Sequence, residues 1–284
     1  VLYLMIGRHW GGSKAGPAGW LTAVIVSVLF FGAGPQLILV SSLKAILLAL
    51  FVLYIIWMAL LLYHTINDAG AITAQRTAAV SGTAISRWGP RRPGPVAVIG
   101  AGVQARSHLP LIAHLLPGVE LTLCDRDVGR LAALADEVGA GDHGRFGNVR
   151  TATDPAAAVE GATLVLTLVS FGPGRQSIPE SSFSADATVV AVDYDMCVPA
   201  SLARGAGLFL TDDRGQFLAN RTEAQFVGYP EPMAMIGEAI AAGTGRPDGR
   251  VLVSHLGVGL ADVVFADAIL RAAEERGIGT ILDR

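Results

Sequence analysis

The chain has 284 residues, enough for two modest domains, and a net charge of −3 from 24 acidic and 21 basic side chains. No field of one sign steers it to nucleic acid or anionic lipid. Charged residues make up only 16% of it, against roughly 25% in soluble domains. The deficit is local: between Lys14 and Asp68 there is no acidic side chain, and Lys44 and His64 are the only basic ones.

That apolar stretch comes first along the chain. Residues 45–63, AILLALFVLYIIWMALLLY, carry no charge and have about the length a helix needs to cross a hydrocarbon core. Residues 20–40 are nearly as apolar but are broken by Gly32, Gly34 and Pro35. Two readings stand side by side. Stretches such as 23–31 fit central strands, apolar on both faces. Alternatively 45–63 is a membrane helix, or one arm of a hairpin turning near Gly34-Pro35.

From Asn67 the composition changes. Asn67 or Asp68 is placed to cap a small-residue helix over 71–88. The run Gly89-Pro90-Arg91-Arg92-Pro93-Gly94-Pro95 cannot continue it and reads as a linker. Beyond the linker, apolar and amphipathic runs alternate. Strands are expected at 96–99, 120–124, 149–151, 164–169, 188–192 and 208–211, and helices at 103–116, 128–138 and 156–159. This alternation predicts an α/β fold, a doubly wound parallel sheet of Rossmann type. Cys124 and Cys197 are far apart and read as reduced thiols of a cytoplasmic protein, and no His, Cys or carboxylate spacing suggests a metal.

The expected strand 96–99 runs straight into Gly100-Ala101-Gly102-Val103-Gln104-Ala105. Gly100 permits the tight turn, Gly102 leaves room for a pyrophosphate, and Ala105 lets the next helix pack close. Asp125, at the end of the second strand, is placed to accept hydrogen bonds from the adenosine ribose, which favours NAD. Arg126 beside it leaves NADP as the alternative, and a purely structural role for Asp125 is to cap the following helix.

Four motifs resemble the ornithine cyclodeaminase/μ-crystallin family. They are Ile72-Thr73-Ala74-Gln75-Arg76-Thr77-Ala78-Ala79, the stretch Val98 to Ala105 around the glycine turn, Val190-Ala191-Val192-Asp193-Tyr194-Asp195, and Leu256-Gly257-Val258-Gly259-Leu260-Ala261-Asp262. The resemblance implies an organisation with a substrate and dimerisation segment over 1–89, a Rossmann domain over 90–256 and a C-terminal helix over 257–284 that returns to the first domain. It implies a homodimer acting on a small amino acid.

By the same resemblance Arg76 binds the substrate α-carboxylate and Leu256 meets the substrate. Asp195 is the catalytic acid/base, at the carboxyl end of a parallel strand where such sheets bind ligands. Thr77, Val103, Gln104, Ser170, Val192, Asp193 and Tyr194 join Gly100, Gly102 and Asp125 at the cofactor, while Asp262 fixes the start of the last helix. The implied chemistry removes a hydride from the α-carbon to NAD, leaving an imine that a side-chain amine attacks with loss of ammonia. An amino-acid dehydrogenase, an imine reductase and a non-catalytic binding protein share the same fold. The chain departs from the family where the apolar run replaces a polar stretch, and where His9 stands in place of a lysine for which Lys14 or Lys44 are the candidates to substitute.

Overall fold

A computed structural model describes residues 12–172 and 174–278, and of these the side chains at 16–50 and from 73 onward. His9 and the side chain of Lys14 lie outside the described residues, as do the side chains of most of the 45–63 run. The chain divides into two compact units between Asn67 and Asp68.

The first unit is helical. Helix α1 (Gly12–Phe31) turns at 32–34 into α2 (Pro35–Trp88). The strand reading of 23–31 is therefore corrected: those residues are α-helical, because each backbone group bonds within its own segment and no neighbouring strand is needed. Helix α2 runs unbroken through Asn67 and Asp68, so neither caps a helix start there; no glycine or proline in 63–69 interrupts the backbone ladder. Among the described residues no helix is long and apolar enough to cross a membrane.

The second unit is built on β1 (Val96–Ile99), α3 (Val103–Leu115), β2 (Leu121–Cys124), α4 (Val128–Ala140), β3 (Val149–Ala152), α5 (Pro155–Val159), β4 (Leu164–Thr167), β5 (Thr188–Ala191), α6 (Ala200–Gly205), β6 (Leu208–Thr211), α7 (Arg214–Thr222), β7 (Ala234–Met235), α8 (Ile236–Ala241), β8 (Val251–Ser254) and α9 (Gly259–Arg276). All strand pairings are parallel, and the order is β3-β2-β1-β4-β5-β8-β6-β7. Strands β1, β4, β5, β6 and β8 are buried along their whole length, which is why they read as continuous apolar runs rather than alternating ones.

Successive side chains of each strand go to opposite faces. Val96 and Val98 join one core with Leu109, Ile112 and Leu134. Ala97 and Ile99 join the other with Val165, Phe209 and Phe217. The order reverses between β1 and β4, so a crevice opens at the carboxyl ends of these strands. The run 89–95 ends a helix but does not divide the units, since 68–88 fall with the second one: Gly89 has no space for a Cβ, which would lie 2.3 Å from the Ile85 carbonyl oxygen, and α2 ends there.

Candidate functional site

The crevice is a cavity of about 330 Å³ lined by Gly100, Gly102, Asp125, Arg126, Ser170 and Cys197 among others. Gly100 has φ +109, and a Cβ there would sit 2.7 Å from the Leu168 carbonyl oxygen, so the turn itself demands glycine. Gly102 is different. Its φ is −86, which any residue adopts, and a Cβ would meet nothing within 4 Å. Neither conformation nor packing requires a glycine at 102; what it leaves is open space on the cavity side. Helix α3 starts at the next residue with no side chain capping it. Its first N–H groups therefore have no partner within the helix and are placed to hold an anion.

Asp125 does two jobs at once. Its Oδ2 accepts from the Ala101 N–H at 2.7 Å and its Oδ1 from the Asp127 N–H at 2.8 Å. It thus ties the glycine turn to the end of β2. It does not cap α4: Asp127 does, accepting from the Arg130 N–H at 3.0 Å.

The residues expected at the substrate form a second cluster, around the carboxyl ends of β6 and β8. Arg76 is almost buried, and its Nε donates to Asp262 Oδ1 at 2.7 Å. Asp262 is the acid in the first turn of α9, which begins after Val258 with no side-chain cap, and its carboxylate is held by the guanidinium in a charge-assisted bond. The outer edge of Arg76, Nη1 and Nη2, has no hydrogen-bond partner recorded among the described residues. Gly257, with φ +92, makes room for it: a Cβ there would stand 3.2 Å from Nη1.

Asp212, which sequence reasoning did not single out, completes this cluster. It accepts from the backbone N–H of Leu256 at 3.0 Å and of Gly257 at 2.7 Å. The signal that could have found it is the one used for Asp125, an acid at the carboxyl end of a parallel strand. Thr77 is buried one residue from Arg76, and Leu256 is half-buried.

Asp195 is not open to the crevice as its position at a strand end suggested. It is fully buried. Its Oδ1 pairs with Arg175, and its Oδ2 accepts from the Phe226 N–H at 3.0 Å. The surrounding backbone is strained. Tyr194, Gln176 and Phe226 all have positive φ, and Gln176 N–H donates to the Asp195 carbonyl at 2.8 Å. Such conformations persist only where packing over-determines them. Here Tyr194 stacks on Phe226 and meets Phe171 edge-on.

Asp193 is buried too. Thr167 Oγ1 donates to its Oδ1 at 2.6 Å, its Oδ2 has no partner, and burial raises its pKa to about 6. Val103 is exposed, while Gln104 and Val192 are half-buried. Gln104 Oε1 is buried without a partner. Burial also pushes the Cys124 thiol up to about 11 and the Cys197 thiol higher still, so neither is a nucleophile. Among the described residues no group of His, Cys and carboxylates could hold a metal ion.

One further constellation joins α2, α3 and β8. Ser81 Oγ lies 2.8 Å from His108 Nε2 and 2.8 Å from His255 Nε2, and His108 Nδ1 lies 2.7 Å from the Gln104 carbonyl oxygen. Burial lowers the pKa of His108 to about 4 and of His255 to about 3, so both rings are neutral at pH 7. A carbonyl only accepts, so His108 carries its proton on Nδ1 and its Nε2 accepts from the Ser81 hydroxyl. Ser81 Oγ then accepts from His255 Nε2–H. His255 Nδ1 is left as a buried lone pair without a partner.

A parallel sheet in this order, with its glycine turn at the switch point and an acid closing β2, defines a Rossmann-type dinucleotide-binding fold. Within that class, the ornithine cyclodeaminase/mu-crystallin family model matches residues 59–172, a range that includes the motifs at 72–79 and 98–105. The nodulation efficiency protein NfeD of Rhizobium meliloti is 27% identical over 223 residues, 76% of this chain and 67% of that protein. Among solved structures, Δ1-pyrroline-2-carboxylate reductase of Thermococcus litoralis, in complex with NADH and L-proline, aligns with a TM-score of 0.63 at 20% identity, over 75% of this chain and 68% of that one. Iminosuccinate reductase of Paracoccus denitrificans, in complex with NAD+, aligns with a TM-score of 0.61 at 24% identity, over 76% and 68%. These structural likenesses concern the fold, and the chain spans about two thirds of the length of each of these proteins.

Proposed function

We propose that the chain binds NAD in the crevice between β1 and β4 and acts on an amino or imino acid held through its carboxylate by Arg76, with ornithine cyclodeamination as the leading reaction. The observation that carries the dinucleotide part is Gly102, a glycine whose missing side chain serves only the cavity beside it. The cofactor supplies a place for the α-hydrogen of the substrate to go as hydride and to return from. The structures of relatives holding NADH with proline and NAD+ support this choice of cofactor and substrate class.

The chain's own residues supply position and proton handling. Arg76 offers Nη1 and Nη2 as a fork to a carboxylate, its Nε being fixed by Asp262. Gly257 keeps the approach clear. Asp195 is the group placed to take a proton from the substrate nitrogen, but both its oxygens are engaged, so Arg175 must release it first. Arg175 is suited to that: its side chain is 34% exposed, and it follows Gly172 and Gly174 on the cavity wall. Residence of the second unit in the cytoplasm, with or without membrane association through the N-terminal apolar segment, and a homodimer go with this reading.

A second reading is favoured by the same Asp195–Arg175 pair. If the pair stays closed, the protein binds NAD or NADP without turnover, in the manner of the crystallin branch. Incubating the protein with NAD and ornithine separates the outcomes. Ammonia and proline without net NADH support cyclodeamination. NADH accumulation with another amino acid, or NADH consumption with a cyclic imine, moves the assignment to a dehydrogenase or reductase. Dinucleotide binding without any turnover leaves the second reading.

A further inference from the structure

The first unit is built inside out. Over its described side chains, 16–31 in α1 and 35–50 in α2, most large apolar residues face outward: Leu29 is 72% exposed, Phe31 82%, Leu39 71% and Leu48 65%, while Val24 and Ile38 are half-buried. The residues turned toward the other arm are mostly small or hydroxylated. Ser27, Ala33 and Ser42 are half-buried there, and Trp20 Nε1 donates to Ser42 Oγ at 3.2 Å. Thr22 spends its hydroxyl on the Ala18 carbonyl at 2.8 Å. A water-soluble helix pair has the opposite arrangement, with one apolar stripe facing inward.

Three features identify what surrounds this hairpin. Its apolar surface is not a single face: runs such as Val28 to Phe31 and Ile46 to Leu48 expose bulky side chains at consecutive positions, which point to different sides of a helix, whereas a protein partner covers one side. Exposed apolar area on this scale is not left in water. Charge is almost absent, with no acidic residue between Lys14 and Asp68. Small residues between helices and large ones outside are the packing that hydrocarbon surroundings favour, since lipid tails are as apolar as leucine. The backbone complies as well, because helices satisfy their own polar groups and the turn is bonded through Ala33 N–H to Ser27 O and Leu37 N–H to Gly34 O.

We infer that the hairpin over residues 16–50 is lodged in the hydrocarbon interior of a lipid bilayer and anchors the chain to it. At about 1.5 Å per residue each described arm rises about 24 Å, so the turn at 32–34 leads and the arms follow. Lys44 lies about 15 Å back from the turn, and its long stem lets the ammonium reach toward the head groups. Because the surface is uncharged, the attachment depends on hydrocarbon rather than on anionic lipid.

The test is flotation of the full chain with vesicles of phosphatidylcholine, which carry no net charge. The expected result is a vesicle-bound protein that high salt does not release. The triple variant Leu29→Glu, Phe31→Glu, Leu39→Glu should lose vesicle binding about ten-fold or more, while Ser27→Ala, which faces the other arm, should float as the parent does. Circular dichroism and thermal unfolding of the second unit show that the triple variant is still folded. The inference is overturned if the parent chain remains unbound with vesicles present, as a monomer or as a water-soluble oligomer, or if the triple variant floats equally well.

Discussion

Arg76 Nε and Asp262 Oδ1 meet at 2.7 Å although 186 residues separate them. This contact brings the RTAA motif of α2 to the start of α9 and turns the outer edge of a nearly buried guanidinium toward the carboxyl ends of β6 and β8. Arg76→Ala is expected to weaken amino-acid binding by about 2–4 kcal/mol, the range for losing a charge-assisted pair. Asp262→Asn should cost less, since it frees the fork to rotate without removing it. Gly257→Ala should also impair binding, because the added methyl meets Nη1 and φ is positive there. Calorimetric titration of each variant with amino acid in the presence of NAD checks the order.

Asp125 joins the glycine turn to β2 through the Ala101 N–H. Asp125→Ala should weaken NAD by about 1–3 kcal/mol and reduce the preference over NADP. Equal titrations of NAD and NADP with parent and variant measure both effects. An unchanged NAD affinity would remove Asp125 from the ribose site.

Asp193 carries a pKa raised to about 6 by burial, against an ordinary value of 3.8. A raised carboxyl pKa favours the fold below the unfolded value, and that contribution is lost as pH rises through the folded one. Asp193→Asn, which keeps an acceptor for Thr167, should therefore gain about 1–3 kcal/mol over the parent at pH 7–8 and little near pH 4. Denaturant unfolding at the two pH values decides it; a variant destabilised equally at both contradicts the account.

His108 and His255 act in the opposite sense. Their folded pKa values, about 4 and about 3, lie below the ordinary 6.5. The unfolded chain takes up protons first, so their contribution is full above pH 6.5 and falls as pH drops toward the folded values. Each ring contributes a slope of about 1.4 kcal/mol per pH unit over that window. His108→Gln should flatten the acid limb of the stability curve by about half. Ser81→Ala should cost about 2–4 kcal/mol at pH 7, because it leaves a buried donor and a buried acceptor unpaired.

Much of the second unit was legible because its punctuation is strong. The strand 96–99, the glycine turn and the strand ending at Asp125 are apolar runs bounded by residues whose backbone or charge forces an end. The first unit was ambiguous for a physical reason: an apolar run without period fits a buried strand and a lipid-facing helix equally, and only the backbone shows that 23–31 is helical. The strand Val251–Ser254 was missed although it is as long as 96–99, because no glycine stands directly after it to mark its end as Gly100 does there. Asp195 was expected at the end of the strand 188–192, but the strand stops at Ala191 and Asp195 lies in the turn beyond it, buried against Arg175 and Phe226, which nothing nearby in sequence announces. The pairing of Arg76 with Asp262 is likewise a product of the fold, not of spacing.

We assign the crevice beside Gly102 to a dinucleotide. Gly102→Leu tests it most directly, because φ −86 admits any residue and no atom lies within 4 Å of the new Cβ. The account predicts a variant that unfolds at the parent's temperature and binds NAD at least about ten-fold more weakly by calorimetry, the pyrophosphate being excluded. A variant that folds normally and binds NAD as tightly as the parent would contradict it.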